Sequence, residues 1–220
     1  MRRFPEPELM NDPVQARAYA EADFSEANTL FQNLFLDRFP THRPRRILDL
    51  GCGPGDITLA FARCFPDSRV DGIDGAEAML AIARHRLATQ PLLSRRVQFR
   101  RHRLPDPALT PGYDTLICNS LLHHLADPQV LWREIQRLGT PGAAVLVMDL
   151  YRPDSERQAL ELVERHAAGA SAILRRDFFN SLRAAYREDE IRRQLEETGL
   201  DHFQVDRVSD RHIAVHGRLH

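Results

Sequence analysis

Short apolar segments alternate with helical segments between about residue 44 and residue 152. Each apolar segment has the length of a buried strand, and the segment after it repeats apolar residues every three or four positions, as a helix does. Such alternation is typical of parallel strands joined by crossover helices that cover both faces of the sheet. It predicts an α/β fold with strands at 46–50, 70–73, 97–100, 115–118 and 143–148.

The residues before this core have a different pattern. Residues 1–12 look loose, and one helical pattern runs over 12–39. We therefore predict an N-terminal helical lid segment at 1–43, followed by the α/β domain at 44–220.

The residues after the fifth strand break the alternation once. Residues 154–186 are predicted to form two helices with no strand between them, and we interpret this insertion as a cap over the substrate. A helix at 187–197 and strands near 203–208 and 212–215 follow. The short turn between these two strands predicts that they are antiparallel, which completes a mostly parallel seven-stranded sheet with an antiparallel last strand.

Composition limits the class of protein. The formal net charge is -1, and all 30 basic residues are arginine, so a P-loop lysine and a lysine Schiff base are excluded. A near-neutral chain favours neither nucleic acid nor an anionic membrane as a partner. Three cysteines without paired spacing favour a reducing compartment, so the protein is predicted to be cytoplasmic. We further expect a monomer or a homodimer.

A glycine turn follows the first predicted strand. Gly51, Gly53 and Gly55 lie between this strand and a helix that starts near Asp56. Glycines permit a sharp turn and let a ligand approach the backbone, in front of the free N–H groups of the helix. In a parallel sheet, ligands bind at this edge, although a glycine turn alone is equally consistent with a plain connection.

An acid after the second strand favours the ligand interpretation. Asp74 follows the glycine turn by roughly 20 residues, where a carboxylate accepts hydrogen bonds from ribose hydroxyls. The two features together predict a nucleoside-bearing cofactor, and both NAD and S-adenosylmethionine qualify. The spacing Gly51-x-Gly53-x-Gly55 differs from the dinucleotide fingerprint, and Asp56 would repel a pyrophosphate at the helix start. Asp49, in contrast, is placed to face a positively charged group.

These residues resemble motif I of the class I S-adenosylmethionine-dependent methyltransferases. The motif is Asp49–Gly55, and the resemblance continues through Gly72–Leu80, Tyr113–Leu125 and Thr140–Ala143. It covers about residues 44–152. The resemblance implies the Rossmann-like class I methyltransferase fold, with S-adenosyl-L-methionine as methyl donor and S-adenosyl-L-homocysteine as product.

The resemblance also implies the cofactor-binding residues. The glycines would lie under the methionine part, Asp49 near its amino group, Asp74 at the ribose, and Asn119 at the methionine end. The cofactor-binding residues implied in this way are Asp49, Gly51, Cys52, Gly53, Gly55, Asp74, Gly75, Met79 and Asn119. Tyr19 of the N-terminal helices is predicted to close over the cofactor, with core packing as the alternative.

The chain departs from the family pattern after the third strand. Relatives usually have an Asp there that meets the adenine amino group, but here the first acid is Asp106. His102 or Arg103 fills this place, and both are predicted to contact adenine, with their backbone groups as candidate hydrogen-bond partners.

Two histidines follow the fourth strand, near the expected methyl position. We predict that His123 faces the acceptor as a base or substrate ligand, because imidazole titrates near neutrality. His124 is predicted to be mainly structural, with some contact to substrate; the alternative is that both histidines only pack. Tyr151, Arg152 and Phe178 are further predicted substrate contacts.

No metal site is predicted. Some relatives bind a divalent metal through Glu-x-x-Glu-His, but Ser120 and His123 stand here where the two acids would be.

The predicted function is therefore methyl transfer from S-adenosylmethionine to a small-molecule acceptor. Two alternatives stay open: a methyltransferase for RNA or protein, and a non-catalytic S-adenosylmethionine-binding protein. The near-neutral charge and the absence of an Asn/Asp-Pro-Pro-aromatic motif after the fourth strand disfavour the first.

Overall fold

Seven strands form one mixed sheet in the computed structural model, which describes residues 1–6 and 9–220. The strands are β1 (Arg46–Leu50), β2 (Arg69–Asp74), β3 (Val97–Arg101), β4 (Tyr113–Asn119), β5 (Gly139–Leu150), β6 (Gln204–Arg207) and β7 (His212–Arg218). Their order is β3-β2-β1-β4-β5-β7-β6. The first five strands are parallel, and β7 runs antiparallel to both β5 and β6. The predicted fold class is confirmed.

Nine α-helices of the described residues surround the sheet. They are α1 (Pro13–Glu21), α2 (Ser25–Arg38), α3 (Asp56–Cys64), α4 (Glu77–Ala88), α5 (Pro91–Ser94), α6 (Gln129–Leu138), α7 (Glu156–Ala167), α8 (Ala172–Ala184) and α9 (Glu188–Glu197). Within residues 1–6 and 9–220, no helix is long and apolar enough to cross a membrane.

The N-terminal helical pattern forms two helices, α1 and α2. α1 begins after Asp12, whose side chain accepts hydrogen bonds from the N–H groups of Val14 and Gln15. It ends at Glu21, before the extended residue Ala22, and the carboxylate of Asp23 then accepts a hydrogen bond from the N–H of Ser25 at the start of α2. Local side-chain hydrogen bonds of this kind compete with a continuous helix, which explains the break.

Alternate residues of β1 pack on opposite faces of the sheet. Leu48 belongs to the apolar cluster that includes Trp132 of α6, whereas Ile47 belongs to the cluster that includes Phe35 of α2 and Phe61 of α3. The Phe35 and Phe61 rings are 5.1 Å apart. A strand that is apolar on both sides must be covered by helices on both faces.

Two expectations about local structure were wrong. Residues 140–142 are not a separate turn before the fifth strand, since β5 already begins at Gly139 and the register shifts opposite Tyr113, which inserts these residues as a bulge. The described part of the N-terminus, residues 1–6, is not loose. Arg3 Nε donates to Ala184 O at 2.6 Å, and the N–H of Phe4 donates to Arg183 O at 3.0 Å.

The strand order places the site. From β1 the sheet extends in one direction through β2 and β3 and in the other direction through β4 and β5, so the strand order reverses between β1 and β4. Ligands bind in such sheets in the crevice at the carboxyl ends of the two strands that flank this point. The insertion folds as α7 and α8, and α8 contacts both α1 and the loop after β4.

Candidate active site

The glycine turn after β1 is open toward a cavity. Gly51 and Gly53 have φ of 73° and 51°, the left-handed region that glycine adopts without strain. A Cβ at Gly53 would meet no described atom within 4 Å, so this stretch of backbone is accessible to a ligand. Gly55 has a packing role instead, because it precedes α3 and a Cβ there would lie 2.7 Å from the ring of Phe99.

Asp49 is a buried carboxylic acid at the end of β1. It is 1% exposed, and Thr58 Oγ1 donates to its Oδ2 at 2.6 Å. Burial raises the pKa of Asp49 to about 7, against the lowering effect of the Thr58 hydrogen bond, and the nearby carboxylate of Asp74 raises it further. A cation beside Asp49 would remove this penalty.

Asp74 connects the end of β2 to the glycine turn. Its Oδ2 accepts a hydrogen bond from the N–H of Gly53 at 2.9 Å, and its Oδ1 accepts one from the N–H of Ala76 at 2.7 Å. Burial raises the pKa of Asp74, while these backbone donors favour the ionised form. Each carboxylate oxygen has capacity for a further donor, such as a hydroxyl.

Asn119 carries an unsatisfied acceptor at the end of β4. Its Oδ1 is buried and has no hydrogen-bond partner among the described residues. Buried polar atoms without partners are rare in folded proteins, and a ligand commonly supplies the missing bond. Asp49 and Asn119 thus offer acceptors at neighbouring strand ends, an arrangement suited to an ammonium group.

One continuous cavity brings most predicted site residues together. It is lined by Tyr19, Asp49, Gly51, Cys52, Gly53, Asp74, Gly75, Met79, His102, Arg103, Asn119, His123, His124 and Phe178. Three predicted residues lie outside this lining. Gly55 is one, for the packing reason given above. Tyr151 is the second, and its ring is covered by the Arg207 guanidinium, which lies 3.5 Å from the ring centre. Arg152 is buried and pairs with Glu190 at 2.7 Å, so its charge already has a partner.

The region predicted to meet adenine contains a close contact between a histidine and an aspartate. Nδ1 of His102 lies 2.8 Å from Oδ2 of Asp106, four residues later. The N–H of His102 donates to Asp74 O at 3.0 Å, which fixes the start of this loop beside β2.

His123 lies at the other end of the cavity, in a 3₁₀ turn (Leu122–His124) after β4. It is 2% exposed, and its Nδ1 is 2.5 Å from Oδ1 of Asp149, the buried acid near the end of β5. Burial alone would lower the pKa of His123, but the carboxylates of Asp149 and Glu6 outweigh it and raise the pKa to about 9. In the ligand-free protein the imidazole of His123 is therefore protonated on both nitrogens and positively charged at neutral pH.

Glu6 joins the two histidines. Its Oε1 lies 3.3 Å from Nε2 of His123 and 3.3 Å from Nδ1 of His124, and it accepts a hydrogen bond from Ser181 Oγ of α8 at 2.9 Å. The two imidazole rings are 4.2 Å apart and line the same cavity. Both imidazoles therefore face Glu6 and the same cavity.

The N-terminal helices and α8 meet over the cavity. Gln15 Nε2 donates to Asp177 Oδ2 at 2.8 Å, and the rings of Tyr19 and Phe24 are 4.6 Å apart. We call this covering of α1 and α8 the roof.

One arginine connects the roof to the glycine turn. Arg86 of α4 donates to Pro54 O at 3.0 Å and to Asp56 Oδ2 at 2.6 Å, and also to Ala20 O of α1 at 2.7 Å.

Sequence reasoning missed Glu6 and Ser181 as members of the site. Both lie far in sequence from the motif region, and neither has a spacing that marks it. Asp149 lies near the end of β5, and no sequence pattern connects it with His123.

Comparison with known proteins agrees with this architecture. Residues 48–145 match a family model described as a methyltransferase domain. The chain is similar to a trans-aconitate 2-methyltransferase of Acidovorax sp. (strain JS42), with 35% identity over 129 residues that cover 59% of this chain and 46% of that protein. It is also similar to a malonyl-[acyl-carrier protein] O-methyltransferase of Legionella pneumophila, with 34% identity over 118 residues that cover 52% of this chain and 39% of that protein. The match thus spans less than half the length of either relative.

Solved structures agree with the fold. A crystal structure of a SAM-dependent methyltransferase from Aquifex aeolicus superposes with a TM-score of 0.68 at 18% identity, over 95% of this chain and 99% of that one. Residues 48–145 therefore form a methyltransferase domain, and the chain has the fold of S-adenosylmethionine-dependent methyltransferases.

Proposed function

We propose that this protein transfers the methyl group of S-adenosylmethionine to a small-molecule acceptor. The observation that carries the proposal is the pair of acceptors, Asp49 and the orphaned Oδ1 of Asn119, beside an open glycine turn. The amino group of the cofactor's methionine part is a cation that would satisfy both. When bound, the cofactor supplies an electrophilic methyl group on a sulfonium.

The other residues of the cofactor end have assigned roles in this proposal. Asp74 would accept hydrogen bonds from the ribose, because its oxygens are fixed by backbone donors and keep capacity for hydroxyls. Gly75 and Met79 would lie beside adenosine, with His102 and Arg103 at the adenine.

A small acceptor fits the roof better than RNA or a protein does. The hydrogen bond between Gln15 and Asp177 closes the approach between α1 and α8, and Phe178 lines the cavity beneath. A polymer would have to break this contact, whereas a small molecule requires only a transient opening.

The relatives' names suggest which acceptors to try first. Trans-aconitate and malonyl groups both carry carboxylates, and a carboxylate is already ionised at neutral pH. An acceptor of this kind needs positioning in line with the methyl group rather than a base. His123 would then hold the acceptor, and its predicted role as a base applies only to an acceptor that must lose a proton.

Two measurements test the proposal in order. Calorimetry should show binding of S-adenosylhomocysteine at micromolar concentrations and no comparable binding of NAD. Incubation with labelled S-adenosylmethionine and a panel of organic acids, thiols, amines and phenols should then give a product heavier by one methylene. Cofactor binding without turnover on any small molecule, together with turnover on RNA or protein, would overturn the small-acceptor part. Binding without any turnover would favour the non-catalytic alternative.

The cytoplasmic location and the monomeric or homodimeric state remain predictions. Light scattering on the purified protein measures the second.

A further inference from the structure

We propose that Glu6, His123 and His124 form a binding site for a divalent transition-metal ion of the zinc type. The three side chains come from the N-terminal segment and from the 3₁₀ turn after β4, and their ligand atoms all lie within 4.8 Å of one another. The metal site goes beyond the proposed function and does not depend on it; only the ligand assigned below to its fourth position rests on the proposed methyl acceptor.

The distances match those between ligands of a tetrahedral ion. Zinc binds imidazole nitrogen and carboxylate oxygen at about 2.0–2.2 Å, so two ligand atoms in a tetrahedral site lie roughly 3.3–3.5 Å apart. Glu6 Oε1 lies 3.3 Å from His123 Nε2 and 3.3 Å from His124 Nδ1. A hydrogen bond between charged groups is usually shorter, about 2.7–2.9 Å. Both separations therefore suit an ion between the ligands better than a direct charged hydrogen bond.

Asp149 completes the arrangement from behind. Its carboxylate lies 2.5 Å from Nδ1 of His123, which leaves Nε2 as the ligand atom. Histidines that bind metals almost always donate their other N–H to a carboxylate or carbonyl, which fixes the tautomer and increases the basicity of the ring. Ser181 holds the Glu6 carboxylate in place by donating to Oε1 at 2.9 Å.

The charge of the cluster favours a dication. A metal ligand must be a neutral imidazole, so the ion would replace the proton that His123 carries in the metal-free protein and would face the carboxylates of Glu6 and Asp149. The neighbouring guanidinium of Arg3 donates to the backbone oxygens of Ala184 and His123. A dication between the side chains would balance the two carboxylates.

The ligand set leaves one position for a small molecule. Two histidines and one glutamate are a three-residue set that zinc uses when its fourth position is open. Both imidazoles line the cavity that also contains the proposed cofactor residues. An oxygen donor of the acceptor, such as a carboxylate or hydroxyl, is the chemical class that would occupy this fourth position.

Cobalt provides a direct spectroscopic test. Tag-free protein is stripped with a chelator and titrated with Co²⁺, which absorbs strongly in the visible range only in tetrahedral or five-coordinate sites. We expect one equivalent to bind with such a spectrum and Zn²⁺ to displace it. His124→Ala and Glu6→Gln should each weaken binding by at least about tenfold, and Asp149→Asn by about 10–100-fold.

A surface histidine pair provides the matched control. The rings of His202 and His220 lie 4.1 Å apart, so this pair is another place where two imidazoles could bind Co²⁺ together. If the visible spectrum comes from the proposed site, His220→Ala should leave both the spectrum and the affinity for Co²⁺ unchanged. Circular dichroism establishes that each variant is folded, and binding of S-adenosylhomocysteine without metal is measured separately.

The proposal is overturned if folded wild-type protein binds no stoichiometric Co²⁺ or Zn²⁺. It is equally overturned if Co²⁺ shows only a weak octahedral spectrum, or if His124→Ala binds as tightly as wild type. Glu6 and His123 would then be a simple carboxylate–imidazolium pair, and the proposed cofactor site would stand unaffected.

Discussion

Replacement of Asp49 by Asn should stabilise the ligand-free protein while it removes cofactor binding. The pKa of Asp49 rises from 3.8 to about 7 on folding, and each unit corresponds to about 1.4 kcal/mol, so the ionised carboxylate costs at most about 4 kcal/mol of stability. Because the folded pKa is the higher one, this cost is absent below the unfolded pKa and fully present above about pH 7. The gain from Asp49→Asn should therefore grow as the pH rises between these values.

Cofactor affinity should change with pH in the opposite direction to stability, since affinity should rise as the pH rises. An ammonium binds the ionised form of Asp49, so lowering the pH from about 7.5 to about 6 should weaken S-adenosylhomocysteine binding by close to tenfold for a pKa of about 7. Chemical denaturation across this range measures stability, and calorimetry measures affinity. Thr58→Val is the matched variant: it removes the hydrogen bond to Oδ2, so the midpoint of the affinity profile should move to higher pH.

The reasoning fails if Asp49→Asn is less stable than wild type at pH 8. It also fails if cofactor affinity in wild type is flat between these pH values, because the buried acid would then not be the group that meets the ammonium.

Three further predictions concern other parts of the cavity. Asp74→Ala should weaken S-adenosylhomocysteine binding by about 1.5–3 kcal/mol through lost charged hydrogen bonds, and unchanged affinity in calorimetry would remove this residue from the site. Hydrogen exchange in α1 and α8 should slow when cofactor and acceptor bind, more so than in a Gln15→Ala variant that lacks the contact to Asp177; indifference to both ligands would argue for a merely structural insertion. His123→Ala leaves the carboxylate of Asp149 buried without its partner, so the free energy of unfolding should fall by about 3–5 kcal/mol. A His123→Ala variant with wild-type stability and full turnover would refute both the packing role and the acceptor role of His123.

The fold and the cofactor end were predictable because their patterns are local. Each strand is a short apolar run, and the glycine turn with Asp74 marks the edge of the sheet where ligands bind. Positive φ at Gly51 and Gly53 is a backbone requirement that only particular residues meet easily, so the sequence shows it directly.

The acceptor end was less predictable because its residues are brought together by long-range packing. Glu6 is 117 residues before His123, and no periodicity connects a residue near the N-terminus with a turn after β4. Arg152 shows the converse problem. A basic residue after β5 suggested a substrate contact, but the structure pairs it with Glu190, which only the position of α9 could reveal.

The three hydrogen bonds of Arg86 have a consequence for the affinities of the two ligands. One guanidinium contacts the turn that would hold the cofactor and also the end of α1, so ordering of either segment favours the other. Such coupling is reciprocal: the factor by which cofactor tightens acceptor binding equals the factor by which acceptor tightens cofactor binding. A cofactor that is already seated would lower the entropy lost when the roof closes on the acceptor. Calorimetry should then show that each ligand binds more tightly when the other is already present.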